Sequence, residues 1–236
     1  MKQVKKPRTK KTPKGEQTRT VIENAALELI RERGYEQTTM RAIAEKAKVS
    51  LGNAYHYFPS KDHLVQAFYH RIHEEHLAVV VPALEKETTL KDRLHAVIRL
   101  KVDILEPYHQ FAAVLFKTAA HPESPLNPFA DESAPVRRED IKVFEEVVAG
   151  SKVRVPDDLR AELPYLLWVF HMGIVLFWIH DSSKKRVRTY RLVERMVDLV
   201  SQLISFASNP LIRPVRKKAL RLLIELKDFG DDEETD

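Results

Sequence analysis

The chain has 236 residues, enough for one large domain or two modest ones, with 44% hydrophobic and 31% charged residues in an ordinary soluble balance. It holds no cysteine, which excludes disulfides, thiolate metal sites and a cysteine nucleophile, and which suits a reducing cytoplasm. The formal net charge of +5 is unevenly spread: residues 1–14 carry seven Lys and Arg and no acid, and residues 228–236 carry six acids. Neither end offers apolar surface to bury and each repels itself. The expectation is a disordered basic arm at 1–14 and an acidic tail at 228–236. Six glycines, few alternating β-branched runs and many helix formers predict an all-α fold. The basic start is not followed by an apolar stretch and so does not read as a secretory signal. The longest apolar run, Leu166 to Ile179, is interrupted by His171 and is short for a bilayer. A soluble, cytoplasmic protein with no membrane partner is expected.

The first helix is predicted from Glu16 to Arg33, where Val21, Ile22, Ala25, Ala26, Leu29 and Ile30 make one apolar stripe. Gly34 ends it at a position where positive φ costs glycine nothing. Thr39 is a good N-cap for a short helix over 40–47, and Ser50 for another over 51–58. Pro59 cannot continue a helix, and Ser60 caps a longer one from Lys61 towards Val81, before Pro82. Further helices are expected near 89–106, 108–120, 138–150, 156–181, 185–208 and 211–227, with a proline-rich loop at 121–136. The domains then read as 15–62, a small three-helix unit, and 63–227, a larger helical body.

Helix, short helix, three-residue turn, short helix is a helix-turn-helix layout. In its second short helix Ala54 and Phe58 are spaced i, i+4 to pack inward. Gly52, Asn53, His56 and Tyr57 fall on the other face, where small and polar groups allow close approach to base edges. The residues carry a closer likeness. The run from Thr38 through Ala44, then Val49-Ser50-Leu51-Gly52-Asn53-Ala54-Tyr55-His56-Tyr57-Phe58-Pro59-Ser60-Lys61, with Ala25-Ala26 and Gly34-Tyr35 upstream, resembles the N-terminal signature of the tetracycline-repressor (TetR) family. It covers about residues 17–66.

That resemblance implies roles at matched positions. Thr39 and Arg41 start the first helix of the pair near phosphate and base edges; Leu51, Gly52 and Asn53 read the groove; Tyr55 and Lys61 meet phosphates, and Tyr57 sits at the groove edge. Ser50 and His56 complete the expected interface. Lys48 occupies the turn position often held by glycine, which predicts a strained φ or a different turn, and offers a phosphate contact. Leu51 has no hydrogen bond to give and reads only a thymine methyl or shape. Residues 15–77 hold eight Lys and Arg against nine Asp and Glu, so grip has to come from local placement, with the basic arm adding salt-dependent attraction.

Residues 156–208 form two long apolar helices, with Leu192, Val193, Met196, Leu199, Val200, Leu203, Ile204 and Ala207 in a broad stripe on the second. Docked on a two-fold mate they give a four-helix bundle, and a homodimer matches a palindromic operator in double-stranded DNA. The resemblance implies an effector pocket in the body. Phe111, Phe116, Trp168, His171, Met172, Phe177 and Trp178 are the candidates to line it around a small, largely apolar molecule. No cofactor is expected.

Two other functions remain open on residues alone. His63, His70, His73 and His76 crowd the fourth helix beside Glu74 and Glu75, as a metal-responsive sensor would need, although a solvated helix face is the plainer reading. A helical interaction protein without specific DNA binding is the other alternative. No phosphate loop, nucleophile elbow or spaced carboxylate pair supports an enzyme.

Overall fold

The computed structural model describes residues 13–228, and every element among them is helical. Residues 1–12 of the expected basic arm and 229–236 of the acidic tail lie outside the described residues. Helix α1 (Pro13–Arg33) ends as its sequence dictates. Gly34 takes φ +88° and its N–H donates to the Ile30 carbonyl at 2.8 Å. Two short helices follow, α2 (Met40–Lys46) and α3 (Leu51–Tyr57), and then α4 (Lys61–Leu84). Beyond these come α5 (Leu90–Leu105), α6 (His109–Ala119), α7 (Ala134–Ala149), α8 (Asp157–Arg160), α9 (Leu163–His180), α10 (Val187–Ala207) and α11 (Arg213–Asp228).

The chain divides into two compact units, residues up to 71 with 110–134, and residues 72–109 with 135 onward. In the first, Ile22, Ala26 and Leu29 of α1, Ile43 and Ala44 of α2, Ala54 of α3, and Phe58 and Leu64 form one buried core. Each large apolar side chain sealed there contributes roughly 1.5–3 kcal/mol, which is what lets two seven-residue helices persist that would melt alone. Within the same unit Phe68 meets Phe111 edge-on at 5.0 Å between ring centroids. Gln66 donates to the Pro125 carbonyl at 2.8 Å, tying α4 to the proline-rich loop.

In the second unit α10 packs along α5 and α9. Arg93, almost fully buried, donates to the carbonyls of Leu84, Glu87, Glu146 and Val147, so one guanidinium satisfies the orphan ends of both α4 and α7. The turn into α10 places Lys185 at φ 53° and Arg186 at φ 51°, left-handed geometry that costs a side-chain-bearing residue roughly 1–2 kcal/mol. The carboxylate of Asp181 offsets it by accepting from the N–H of Ser183 at 2.8 Å and the N–H and hydroxyl of Thr189 at 2.9 and 2.7 Å.

Three prolines shift the expected boundaries. Helix α4 runs through Pro82 to Leu84 instead of stopping before it. The lost bond falls on the carbonyl of Ala78, on an exposed turn that water can serve. Pro135 lies in the first turn of α7, where its missing N–H has no partner to lose, so α7 starts at Ala134 and shortens the loop. Pro164 likewise opens α9, which splits the expected 156–181 helix into α8 and α9. By length and composition α9 is apolar enough to cross a membrane, with 39% of that stretch buried inside one chain.

Candidate functional site

Both short helices are capped by side chains that their sequence supplies. Thr39 accepts the N–H of Ala42 at 3.2 Å and Ser50 that of Asn53 at 3.1 Å, each from an extended backbone. The turn between them holds Lys48 at φ 56°. There the N–H of Lys48 donates to the Glu45 carbonyl at 3.1 Å and that of Val49 to the Ala44 carbonyl at 3.0 Å. This double closure usually wants glycine at its left-handed residue. Lysine takes the strain and gains an exposed ammonium at the tip of the turn.

Ala54 of α3 and Phe58, which caps its C-terminus, are sealed in the core, and Arg19 of α1 lies over the Phe58 ring at 5.0 Å. Gly52 and His56 are exposed, and so is Tyr55, at 48%. A Cβ built on Gly52 meets nothing within 4 Å, so no internal packing demands glycine there. Leu51 and Tyr57 are half-buried and lean on the core, and Asn53 is also half-buried.

Four acids around the helix pair are engaged by neighbouring side chains. Glu28 and Glu32 hold Lys46 at 3.1 and 3.3 Å, and Glu23 holds Arg71 at 2.6 Å. Asp62 accepts the Tyr35 hydroxyl; burial and this carboxylate push the phenol well above the usual tyrosine range. Arg41 and Lys48 are exposed and form no ion pair among the described residues. A unit of balanced charge thus presents positive charge beside α3. Lys61 is more constrained than a surface lysine: its ammonium donates to the Tyr35 carbonyl at 2.8 Å and sits 4.1 Å over that ring. Ser60 caps α4 by accepting the N–H of His63 at 3.3 Å.

The candidate pocket residues are divided between the units. Phe111 and Phe116 belong to the first unit, and the other five to the second. Trp178 is buried and donates to Glu106 at 3.0 Å, while Phe177 is exposed. Trp168 is buried and Met172 half-buried. His171 is different. It is 3% exposed, lies against Phe144 at 5.8 Å, and neither ring nitrogen has a hydrogen-bond partner.

The fourth-helix histidines are not the solvated face that their spacing suggests. His63 and His70 are exposed, but His73 and His76 are buried. His73 Nδ1 lies 2.7 Å from Asp140 and His76 Nε2 is 2.9 Å from the Val97 carbonyl. Residues at i and i+3 share a helix face, and here that face packs inward on α5 and α7. Lys101 of α5 reaches Asp140 at 3.1 Å. Burial pushes the Asp140 carboxyl up, but Lys101 and His73 outweigh it and hold it well below the usual range. Burial, reinforced by Lys101, lowers His76 to about 3 and His171 to about 4, so both imidazoles are neutral at pH 7. Among the described residues no three His, Asp or Glu side chains converge to hold a metal. Lys101, Asp140 and Arg93 were not anticipated; their one signal was polar side chains on the apolar face of α5 and α7.

The model of the tetracyclin repressor-like C-terminal domain matches residues 93–222, and that of bacterial regulatory proteins of the tetR family matches residues 22–68. The chain belongs to the TetR family. Its matches to curated relatives are local. UidR, an HTH-type transcriptional regulator of Escherichia coli K12, is 43% identical over 61 residues, 26% of this chain and 31% of that protein. The fatty acid metabolism regulator of Bacillus subtilis 168 is 30% identical over 93 residues, 39% of this chain and 48% of that one. The matched stretches thus span a third to a half of those relatives. The crystal structure of FadR from Bacillus subtilis in complex with stearoyl-CoA aligns over 77% of this chain and 97% of that one, with a TM-score of 0.62 and 18% identity, a likeness of fold.

Proposed function

We propose that this TetR-family protein is a cytoplasmic, ligand-responsive transcriptional repressor that grips a palindromic operator as a homodimer. The observation that carries the reading is the outward face of α3, where Gly52 opens the helix start to close approach beside exposed Arg41 and Lys48. In the major groove Leu51, Gly52 and Asn53 meet base edges, with Tyr57 at the groove edge. Thr39, Arg41, Lys48, Ser50, Tyr55, His56 and Lys61 flank them toward phosphates, and the basic arm of residues 1–14 adds counterion release.

The homodimer forms through residues 156–208. Leu199, Leu203 and Phe206 of α10 are exposed at i, i+4, i+7, and Val169, Leu176 and Phe177 of α9 are exposed at i, i+7, i+8, around a Gly173 with open space where a side chain would stand. So much apolar surface on adjacent helices is the kind that a second copy covers. The body, residues 63–227, takes a small, largely apolar effector, with Phe111, Phe116, Trp168, His171, Met172, Phe177 and Trp178 as candidate lining. The stearoyl-CoA bound by Bacillus subtilis FadR supports a lipid-like molecule with a long apolar chain as its class. Binding releases DNA by favouring a body conformation that α4, shared by both units, transmits to the reading heads.

The test is selection of duplexes from a random library by the full chain, with light scattering of the free protein. The expected products are an inverted repeat with half-sites about one DNA turn or slightly more apart, and a dimer that Leu203→Glu converts to monomer. Absence of an enriched repeat, or a monomeric wild type, contradicts the proposal.

A further inference from the structure

Buried polar groups in folded proteins are almost always hydrogen-bonded, so those left over mark a place where something else belongs. His76, Val97, Lys101, Asp140, Val143, Phe144 and His171 surround one spot in the second unit, walled by apolar groups and too tight to admit a water molecule. Three ring nitrogens there have no partner: His76 Nδ1 and both nitrogens of His171. His76 is 1% exposed and His171 is 3% exposed, so solvent cannot serve them either.

The chemistry of these orphans is specific. A carbonyl can only accept, so the 2.9 Å contact from His76 to Val97 fixes the proton on Nε2 and leaves Nδ1 a bare acceptor. Neutral His171 carries one N–H donor and one acceptor, both unused. The fixed charges beside them cancel, Lys101 against Asp140 at 3.1 Å, with His73 on the same carboxylate oxygen at 2.7 Å. Glu139, 3.9 Å from the other nitrogen of His73, faces the far side of that ring.

We infer that the His76–His171 edge is the anchor for the polar end of the effector, and that this end is a hydroxyl on an otherwise apolar molecule. The inference rests on the reading that the body binds an effector. A hydroxyl donates to one imidazole nitrogen while accepting from the N–H of the other, which is the pairing that the orphans lack. A carboxylate only accepts and sets its charge against the bare lone pair of His76. An ammonium only donates and meets Lys101. A metal ion finds no third ligand among the described residues. The ligand has to part Phe144 and Val143 from His171 to enter, and relief of the unpaired nitrogens favours the opened form over the closed one.

The probes are decan-1-ol, its methyl ether 1-methoxydecane, which accepts but cannot donate, and sodium decanoate, each titrated into the ¹⁵N-labelled full chain. Decan-1-ol is expected to bind at least about tenfold more tightly than either analogue, a difference of about 1.4 kcal/mol, and to move the ring ¹⁵N resonances of His76 and His171. His171→Phe, which removes the donor and leaves only the acceptor His76 Nδ1, is expected to cut the preference for decan-1-ol over its analogues; the wild-type resonances carry the test should that variant not fold. Equal binding of alcohol and ether, preference for decanoate, unmoved imidazole signals, or no binding at all overturns the inference. Operator binding measured alongside separates the two ideas. Acyl compounds that release DNA while the alcohol leaves both rings unmoved sink the hydroxyl site alone. An alcohol that docks on His171 without altering DNA binding sinks the effector reading alone.

Discussion

Arg71 on α4 reaches to 2.6 Å from the carboxylate of Glu23 on α1, and Glu23 is only 3% exposed. The pair clamps the helix that supports the helix-turn-helix to the helix that follows it. A carboxylate buried this far is tolerable only with its partner, because removing one ion of a buried pair leaves an uncompensated charge.

Arg71→Ala is therefore expected to lower stability by about 3 kcal/mol, while the double change Glu23→Leu with Arg71→Met comes close to wild type. Urea unfolding of the full chain checks this. A single variant as stable as wild type removes the clamp from the account.

Gly52 separates folding from recognition. Alanine in a helix is favoured over glycine by roughly 0.5–1 kcal/mol, and a methyl group there meets nothing within 4 Å beyond its own turn of helix. Gly52→Ala is expected to raise the thermal midpoint slightly and to weaken operator binding at least about tenfold, which is 1.4 kcal/mol. Loss of both stability and binding places the glycine in the fold instead of the interface.

Lys48 separates them in the opposite sense. Its φ of 56° is strained for lysine, so Lys48→Gly is expected to stabilise by up to about 1 kcal/mol. If the exposed ammonium meets a phosphate, the same change reduces the salt slope of log K by about 0.9 for each half-site. An unchanged slope removes Lys48 from the contact set.

Much of this architecture was legible because its determinants are local. Thr39, Ser50 and Ser60 declare helix starts, Gly34 a stop, and the i, i+4 spacing of Ala54 and Phe58 an inward face. The same locality explains the errors. A proline stops a helix only where its missing bond matters, which Pro82 and Pro135 show to depend on position within the element. His73 and His76 read as solvent-facing because nothing in their own segment announces Asp140, Lys101 or Val97, partners that lie 21 to 67 residues away. Tertiary pairing of a buried polar group has no period.

The buried imidazoles also fix the response to acid. His76 at about 3 and His171 at about 4 lie below the ordinary value of 6.5, so between those limits the unfolded chain binds protons that the native state refuses. Stability is then full above about pH 6.5 and falls as pH drops toward 4. Below about 4 Asp140 extends the loss, since its native carboxyl is held under its unfolded value of 3.8. Denaturant midpoints are expected to fall between pH 7.5 and 5, with a shallower fall in His171→Leu. A flat profile through that range contradicts neutral burial of these rings.

The central claim, that α3 carries sequence-specific DNA recognition in a paired molecule, is tested most directly by fluorescence anisotropy. The full chain is titrated into the DNA upstream of its own gene and into a scrambled duplex, at 50 and 200 mM salt (the range over which six to ten phosphate contacts cost roughly 10³–10⁵ in affinity). Two chains per site, a steep loss of affinity with salt, and preference for the native duplex that Gly52→Ala abolishes are the expected result. Equal binding to both duplexes, or none that responds to salt, contradicts it.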